Sequence, residues 1–425
     1  MRAKWNTVPI SQLYEGLYDG PHATPKTSDS GPVFLGIKNV TDNGHLDLSD
    51  IRHIAEEDFA TWTRRVEPRP GDIVFTYEAT LNRYAIIPEG FRGCLGRRMA
   101  LIRTDAKNVD SGFLFYYFFS PAWREVITNN MISGATVDRI PLVTFPNFPV
   151  KVPPLAMQRR IAGILSAYDE LIENSQRRIQ ILEAMARALY REWFFHFRYP
   201  GHEKLPRHTS PLGDIPRGWE VTDLAKVCAE GKGIQTGPFG SQLHEADYSD
   251  EGVPVVMPKD LIGFRIRTDS IARIPEETAD KLSRHRMQPG DIVYGRRGDI
   301  GRRAFVMPHQ TGWFCGTGCL RIRPNPQVVD GWYLFNYLGQ DDVVGLIQGR
   351  AQGVTMPNLN TGVMSSVPVK LPPRKLQGDF ARLTFPMAEA REALTAEIEN
   401  LRRTRDLLLP RLLSGQVAFA SAART

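Results

Sequence analysis

The sequence predicts an α+β protein in which two mixed α/β heads, related by tandem duplication, are joined by two long helices forming an antiparallel coiled coil. Three observations predict this fold class: blocks of residues return at one fixed offset, a double proline ends each unit's head, and a heptad pattern follows both prolines. PGDIV at Pro70–Val74 returns at Pro289–Val293, an offset of 219 residues. At the same offset GATV at Gly134–Val137 matches GVTM at Gly353–Met356, PVKVPP at Pro149–Pro154 matches PVKLPP at Pro368–Pro373, and Gln158 matches Gln377. Several blocks at one offset are hard to obtain by chance, and the repeating unit is far longer than a solenoid repeat. The early part matches more loosely, with GPVFLGIKNV from Gly31 resembling GVPVVMPKDL from Gly252.

Each head carries short β-branched and aromatic runs such as DIVFTY and DIVYG, punctuated by Gly and Pro, which reads as many short strands and turns. Pro153-Pro154 and Pro372-Pro373 cannot sit inside a helix and mark where the heads end. Beyond the first pair, Ile161, Leu165, Tyr168, Ile172, Ser175, Ile179, Leu182, Ala186, Leu189 and Trp193 alternate spacings of four and three, a heptad seam with one polar member. The same register in the second unit gives Phe380, Thr384, Met387, Arg391, Leu394, Ile398, Leu401, Arg405, Leu408 and Leu412, a weaker seam with Arg391 and Arg405 at its edges or facing a partner. Two amphipathic helices on separate cores would also fit; a pair packed on each other is the preferred reading. The predicted divisions are a head at 1–152, a spacer helix at 153–198, a connector and second head at 199–371, a second helix at 372–415 and a tail at 416–425. Tyr199–Trp219, rich in Pro and Gly, reads as an extended connector.

At 425 residues, with 42% hydrophobic and 24% charged residues, the chain is long enough for two or three self-sufficient domains. Cys94, Cys228, Cys315 and Cys319 form no CxxC pair, and Cys315 and Cys319 lack a second ligand pair, so neither a disulfide scaffold nor a metal site is expected. No secretory signal is visible, and the strongest apolar run, Phe113–Phe119, is too short to span a membrane; a cytoplasmic protein is expected. The net charge of +6 is compatible with a polyanionic partner without demanding one.

Catalytic constellations are poorly represented. The sequence contains no GxxxxGKS/T phosphate loop, no GxSxG elbow and no HExxH helix, and no methyltransferase signature of the NPPF or FxGxG type. Pro88-Glu89 followed by Asp105-Ala106-Lys107 is a faint nuclease-like trace, but Pro324 replaces Asp105 in the repeat, so turn and surface roles are expected. The loop Gly295–Ala304, GRRGDIGRRA, differs in kind: Arg296, Arg297, Arg302 and Arg303 stand among three glycines, which suits phosphate or guanine binding. Its counterpart holds Tyr77, Asn82 and Arg83, as two readers of different sequences on one frame would. Further DNA-binding candidates are Lys38, Asn39, Arg97, Arg98, Thr136, Gln235, Gln242, Lys259, Thr355, Asn358 and Asn360, each weighed against an ordinary solvated surface residue.

These residues together resemble the specificity subunits of type I restriction–modification systems. The resemblance covers nearly the whole chain: YDGPHATPKTSDSGPVFLGIKNVT from Tyr18, IQTGPFGSQL from Ile234, both PGDIV blocks, both PPxxxxQ helix starts, PLGDIPRGW in the connector and RLLSGQV near the end. The second helix departs from the family's pattern, starting PPRKLQGDFARLTF. The resemblance implies a non-catalytic subunit whose heads are target recognition domains, each reading one half of a bipartite, asymmetric site in double-stranded DNA. It implies helices that hold the heads apart and dock two modification subunits, with two restriction subunits in systems that cut. S-adenosylmethionine, ATP and Mg would belong to those partners and no cofactor to this chain. The rival readings are a stand-alone DNA-modifying or DNA-cleaving enzyme and an interaction scaffold without DNA specificity.

The spacer reading makes a geometric claim. Four residues inserted after Leu182 add about 6 Å and turn the distal helix by roughly 40° beyond a full turn. One DNA base pair advances ~3.4 Å and rotates ~34–36°. The expected outcome is unchanged half-sites with a gap longer by one or two base pairs, read by methylome sequencing; methylation only at the original spacing would show that the helices are not the ruler.

Overall fold

The computed structural model describes residues 5–134, 137–239, 242–351 and 358–416. It divides into two units, Met1–Arg177 with Leu394–Thr425, and Arg178–Ala393. The predicted tail lies outside the described residues beyond Gln416.

In the first unit, Ile73–Thr76 is central in an antiparallel sheet ordered Tyr14–Asp19, Met99–Thr104, Ile73–Thr76, Tyr84–Ile86. Successive side chains of a strand point to opposite faces, and both faces here are covered. Ile73 and Phe75 enter an aromatic core with Tyr84, Phe113 and Trp123, while Val74 joins Leu35, Ala85, Leu95 and Leu101 on the other side. That is why PGDIVF reads as a continuous apolar run. A smaller sheet, Arg52–His53, Ser28–Leu35, Gly93–Leu95, lies beside it in the chain's path. Asn6–Pro9 pairs antiparallel with Pro149–Val152, closing the head on itself before the helix begins.

The second unit has a four-stranded sheet of corresponding order: Ile234–Thr236, Cys319–Ile322, Ile292–Gly295, Arg303–Phe305. Ile292 and Tyr294 face one core and Val293 the other. Glu220–Asp223 pairs with Pro368–Leu371 as the closing strand pair.

The repeated motifs have physical reasons. In PGDIV the amides of Asp72 and Asp291 bond the carbonyls of Arg69 and Gln288, both at 3.0 Å, around glycines at φ +87° and +89°. This is the Pro-Gly turn that only glycine closes without strain. Each buried aspartate then takes a two-pronged arginine: Arg103 Nε and Nη2 donate to Asp72 at 3.0 and 2.7 Å, and Arg323 to Asp291 at 2.8 and 2.7 Å. The glutamine of PPxxxxQ ties helix to head. Gln158 Oε1 accepts from the Asp110 amide at 2.9 Å while its Nε2 donates to the Pro153 carbonyl at 2.9 Å. Gln377 does the same with Asp330 and Pro372, at 2.7 Å each. Asp110 and Asp330 in turn cap the helices that follow them.

The long helices run Leu155–Tyr190 and Arg374–Leu413, the first ending in a π turn at Arg191–Phe195 that holds Trp193. All the seam positions named above are buried or half-buried. In the first unit Ile161, Leu165 and Leu412 share one core. In the second, Tyr190, Trp193 and Phe194 share another with Phe380 and Ala388. The polar members of the second seam are satisfied internally. Arg405 pairs with Asp169 at 2.5 Å, Arg391 lies 3.8 Å from Glu183, and buried Thr384 accepts from Trp332 Nε1 at 2.8 Å and donates to the Phe380 carbonyl. Both arginines thus make ion pairs within the fold.

The connector corrects the expectation of an extended segment. Arg207–Ser210 and Gly213–Pro216 form an antiparallel hairpin, with Gly213 at φ +88° in its turn. Ile215 and Trp219 are buried, Trp219 against Phe194, Phe197 and Tyr199. Its prolines and glycines serve a turn that packs down. Among the described residues no helix is long and apolar enough to cross a membrane.

Replacing Gln158 by Leu strands a buried amide and a buried carbonyl, each with a desolvation cost of about 1–3 kcal/mol. Urea unfolding of the Gln158→Leu protein is expected to shift to lower denaturant by the equivalent of about 2–3 kcal/mol. Arg159→Ala, at an exposed neighbouring position, is expected to stay within about 0.5 kcal/mol of the parent.

Candidate nucleic-acid interface

In the first head the turn Ile37–Asn39 and the loop Gly96–Met99 face each other across a groove of about 330 Å³, lined by Lys38, Asn39, Arg52, Arg97 and Arg98 with Phe34 and Thr24. Four cations from three separate stretches of sequence converge there. Lys38, Arg52 and Arg97 are exposed, and Lys38 is paired with Asp50 at 2.5 Å. Asn39 is 2% exposed and shapes the turn instead of reading a ligand: its Oδ1 accepts from the Gly36 amide and its Nδ2 donates to the carbonyls of Asp47 and Asp50. Arg98 Nε lies 3.0 Å from Glu78 Oε1, an ion pair without hydrogen-bond alignment, since the buried Nε has no aligned partner among the described residues.

The sequence candidates on the neighbouring strand ends serve structure. Tyr77 is buried, bonded through its amide to the Arg98 carbonyl and through its carbonyl to the Ile140 amide, and burial raises its hydroxyl pKa. Asn82 takes φ +61° and accepts from the Tyr84 hydroxyl; half-buried Arg83 donates to the Val40 carbonyl at 3.3 Å. Arg52 was absent from the sequence candidates. Nothing in its local sequence marks it, because its neighbours in the groove are brought by other strands.

In the second head the arginine loop divides. Arg303 is 7% exposed, donates to the Phe335 carbonyl and sits over the rings of Phe264 and Phe335 at 4.6 and 5.0 Å. Burial pushes its guanidinium pKa down to about 10. Gly339 makes room for it, since a Cβ there would meet the Arg303 guanidinium. Arg296 is also buried, with Nε donating to Asn358 Oδ1 and to the Leu359 carbonyl. Arg302 pairs with Asp299 at 2.7 Å and remains outward, and Arg297 is exposed. Of the four arginines expected to face DNA, Arg296 and Arg303 are buried and only Arg297 and Arg302 are exposed: a flat guanidinium can stack and bond backbone inside a core, and Arg296 and Arg303 do so.

The other candidates are placed as follows. Gln235 is half-buried and accepts from Arg321, exposed Gln242 accepts from Arg284, and Lys259 is exposed on the turn corresponding to Lys38. Asn358 holds Arg296, and Asn360 caps the short helix Thr361–Ser365 by accepting from Val363. Thr136 and Thr355 lie outside the described residues. The nuclease-like trace is a turn: Asp105 accepts from the Lys107 amide and the Asn108 side chain. All four cysteines are buried, and burial raises their thiol pKa values.

Residues 38–184 match the family described as "Type I restriction modification DNA specificity domain". This span holds Lys38, Arg52, Arg97 and Arg98. The chain is 24% identical over 375 residues to the type I restriction enzyme MjaIX specificity subunit of Methanocaldococcus jannaschii, covering 86% of this chain and 82% of that one. It is 22% identical to the HindI specificity subunit of Haemophilus influenzae, over 91% and 94% of the two chains. Over most of its length it is similar to type I specificity subunits. A solved S subunit from M. genitalium shares the fold, with a TM-score of 0.65 at 17% identity over 97% of this chain and 96% of that one.

Two substitutions separate the arginines of this loop. Arg303→Ala empties a packed site and is expected to destabilise the second head by about 2–4 kcal/mol in chemical denaturation. Arg297→Ala is expected to leave the unfolding midpoint unchanged while lowering DNA affinity across sequences and flattening the salt slope by about one.

Proposed function

We propose that this chain is the non-catalytic subunit that reads a bipartite, asymmetric DNA target and brings modification and restriction subunits to it. The observation that carries the reading is the convergence of Lys38, Arg52, Arg97 and Arg98 on one groove within the stretch that matches the DNA specificity domain. Phosphate contacts position a reader and side chains in a groove specify bases, and a concave cationic surface built from a turn, a loop and a strand of one head supplies both.

Each head serves as a target recognition domain for one half-site. Corresponding strand orders, the repeated Pro-Gly turn and the repeated glutamine bonds support a tandem duplication. Burial along both heptad seams supports an antiparallel coiled coil as the spacer. The helices also expose Leu171, Ile181, Met185, Leu383 and Leu407 off the seam, which supports docking of two modification subunits there. Adenine methylation with S-adenosylmethionine, and ATP- and Mg-dependent cutting by two restriction subunits, fall to those partners.

Exchange of Trp219–Val367 for the corresponding head of another family member tests the assignment. Methylome sequencing of a host carrying the chimera with its modification partner is expected to show one half of the target changed and the other kept; a target altered in both halves would sink it. The purified chain alone, given S-adenosylmethionine or Mg²⁺, is expected neither to methylate nor to cut.

A further inference from the structure

The loop beside the basic groove is built alike in both heads. The Gly96 amide bonds the Leu35 carbonyl and the Met99 amide bonds the Gly96 carbonyl; Gly316 bonds Val256 and Cys319 bonds Gly316. One residue before Met99 and Cys319 the chain turns into the left-handed region, at φ +72° for Arg98 and +86° for Gly318. In both heads that residue's carbonyl accepts from the next strand, from the Tyr77 amide at 3.2 Å and the Arg296 amide at 2.9 Å. The backbone therefore asks for glycine at this position, and the second head supplies it. The first head carries arginine there against a steric cost that glycine avoids. Such strain is kept where the side chain is used.

The surroundings say for what. Arg98 lines the groove with Lys38, Arg52 and Arg97, and its side chain is 28% exposed. Its Nε edge lies 3.0 Å from Glu78, which leaves the two terminal nitrogens as the edge available to a ligand. Glu78 is itself held, by a strand bridge to Arg139 and by the bond of the Ala79 amide to the Asp138 carbonyl. A carboxylate beside a guanidinium repels a phosphate but not an uncharged base edge. The two-acceptor edge of guanine, O6 with N7, matches a terminal guanidinium fork. Beside it Lys38, Arg52 and Arg97 are all exposed, with Lys38 paired to Asp50.

We propose that Arg98 reads a guanine in the half-site of the first head, with Glu78 as its positioning residue; this rests on the DNA-reading function proposed above. The test uses the full chain assembled with its modification subunit, and competitor duplexes changed one base pair at a time. Arg98→Gly restores the residue that the second head uses at this φ, so the variant is expected to fold with equal or higher thermal stability. Discrimination at one guanine of the first half-site is expected to fall roughly 10- to 100-fold, with the second half-site and the salt slope unchanged. Glu78→Gln is expected to relax the same position by a smaller factor, again without a change of slope. Full discrimination by Arg98→Gly overturns the proposal, as does a loss spread evenly over all sequences with a slope lower by about one, the mark of a phosphate contact. Unaltered discrimination in Glu78→Gln overturns the positioning role alone. A parent complex with no bipartite specificity would instead overturn the function on which the proposal stands.

Discussion

Gln158 and Gln377 each use both ends of a side-chain amide that is 0–1% exposed. The oxygen takes the backbone N–H of an aspartate that caps a head helix, and the nitrogen gives to the carbonyl of the first proline of the double proline. An amide can do this because it is donor and acceptor at once; a carboxylate or an aliphatic chain would leave one partner unsatisfied in a dry site. The bonds fix where each long helix leaves its head. Everything that depends on a defined exit, including the seam that follows, depends on them.

On that frame the two heads diverge by exchanging what fills equivalent places. Phe75 pairs across the sheet with Tyr84, and Tyr294 with Arg303. Tyr84 accepts from Trp123 Nε1 at 2.9 Å, whereas Arg303 donates to a carbonyl between two phenyl rings. Asn39 and Asp260 shape corresponding turns by accepting from the amides of Gly36 and Met257, at 3.0 and 2.9 Å. The strands and turns are common property and the side chains at their ends are not, which is how a rigid scaffold carries different recognition loops.

The repeat, the ends of the heads and the helix seams were legible because each rests on local chemistry at constant spacing: a Pro-Gly turn, a double proline, a heptad. Which cations face outward was not. GRRGDIGRRA looks like one basic loop, but Arg303 finds Phe264 and Phe335, and Arg296 finds Asn358, residues remote in sequence. The groove of the first head was partly legible: Lys38 lies in a quoted motif and Arg97 and Arg98 stand out as adjacent arginines, while Arg52 arrives from a strand that nothing in the sequence singles out. The connector misled for a related reason, since proline and glycine mark a hairpin turn as readily as an extended linker, and the burial of Ile215 and Trp219 decides between them.

The net charge of +6 is a sum that does not distinguish buried or paired arginines from outward ones. Arg103, Arg323, Arg303, Arg296, Arg391 and Arg405 hold turns, cores and helix pairs together, mostly against carboxylates or carbonyls. Their charges are neutralised locally or turned inward and contribute little to the field that a duplex meets. Under the proposed function, what a duplex meets in the first head is a small cluster in a concave groove, where low-dielectric walls concentrate the field of a few charges. Net charge is therefore a poor measure of DNA recognition in this chain. Under the proposed function, recognition in the first head falls to the few cations in the groove and not to the sum of charges over the chain.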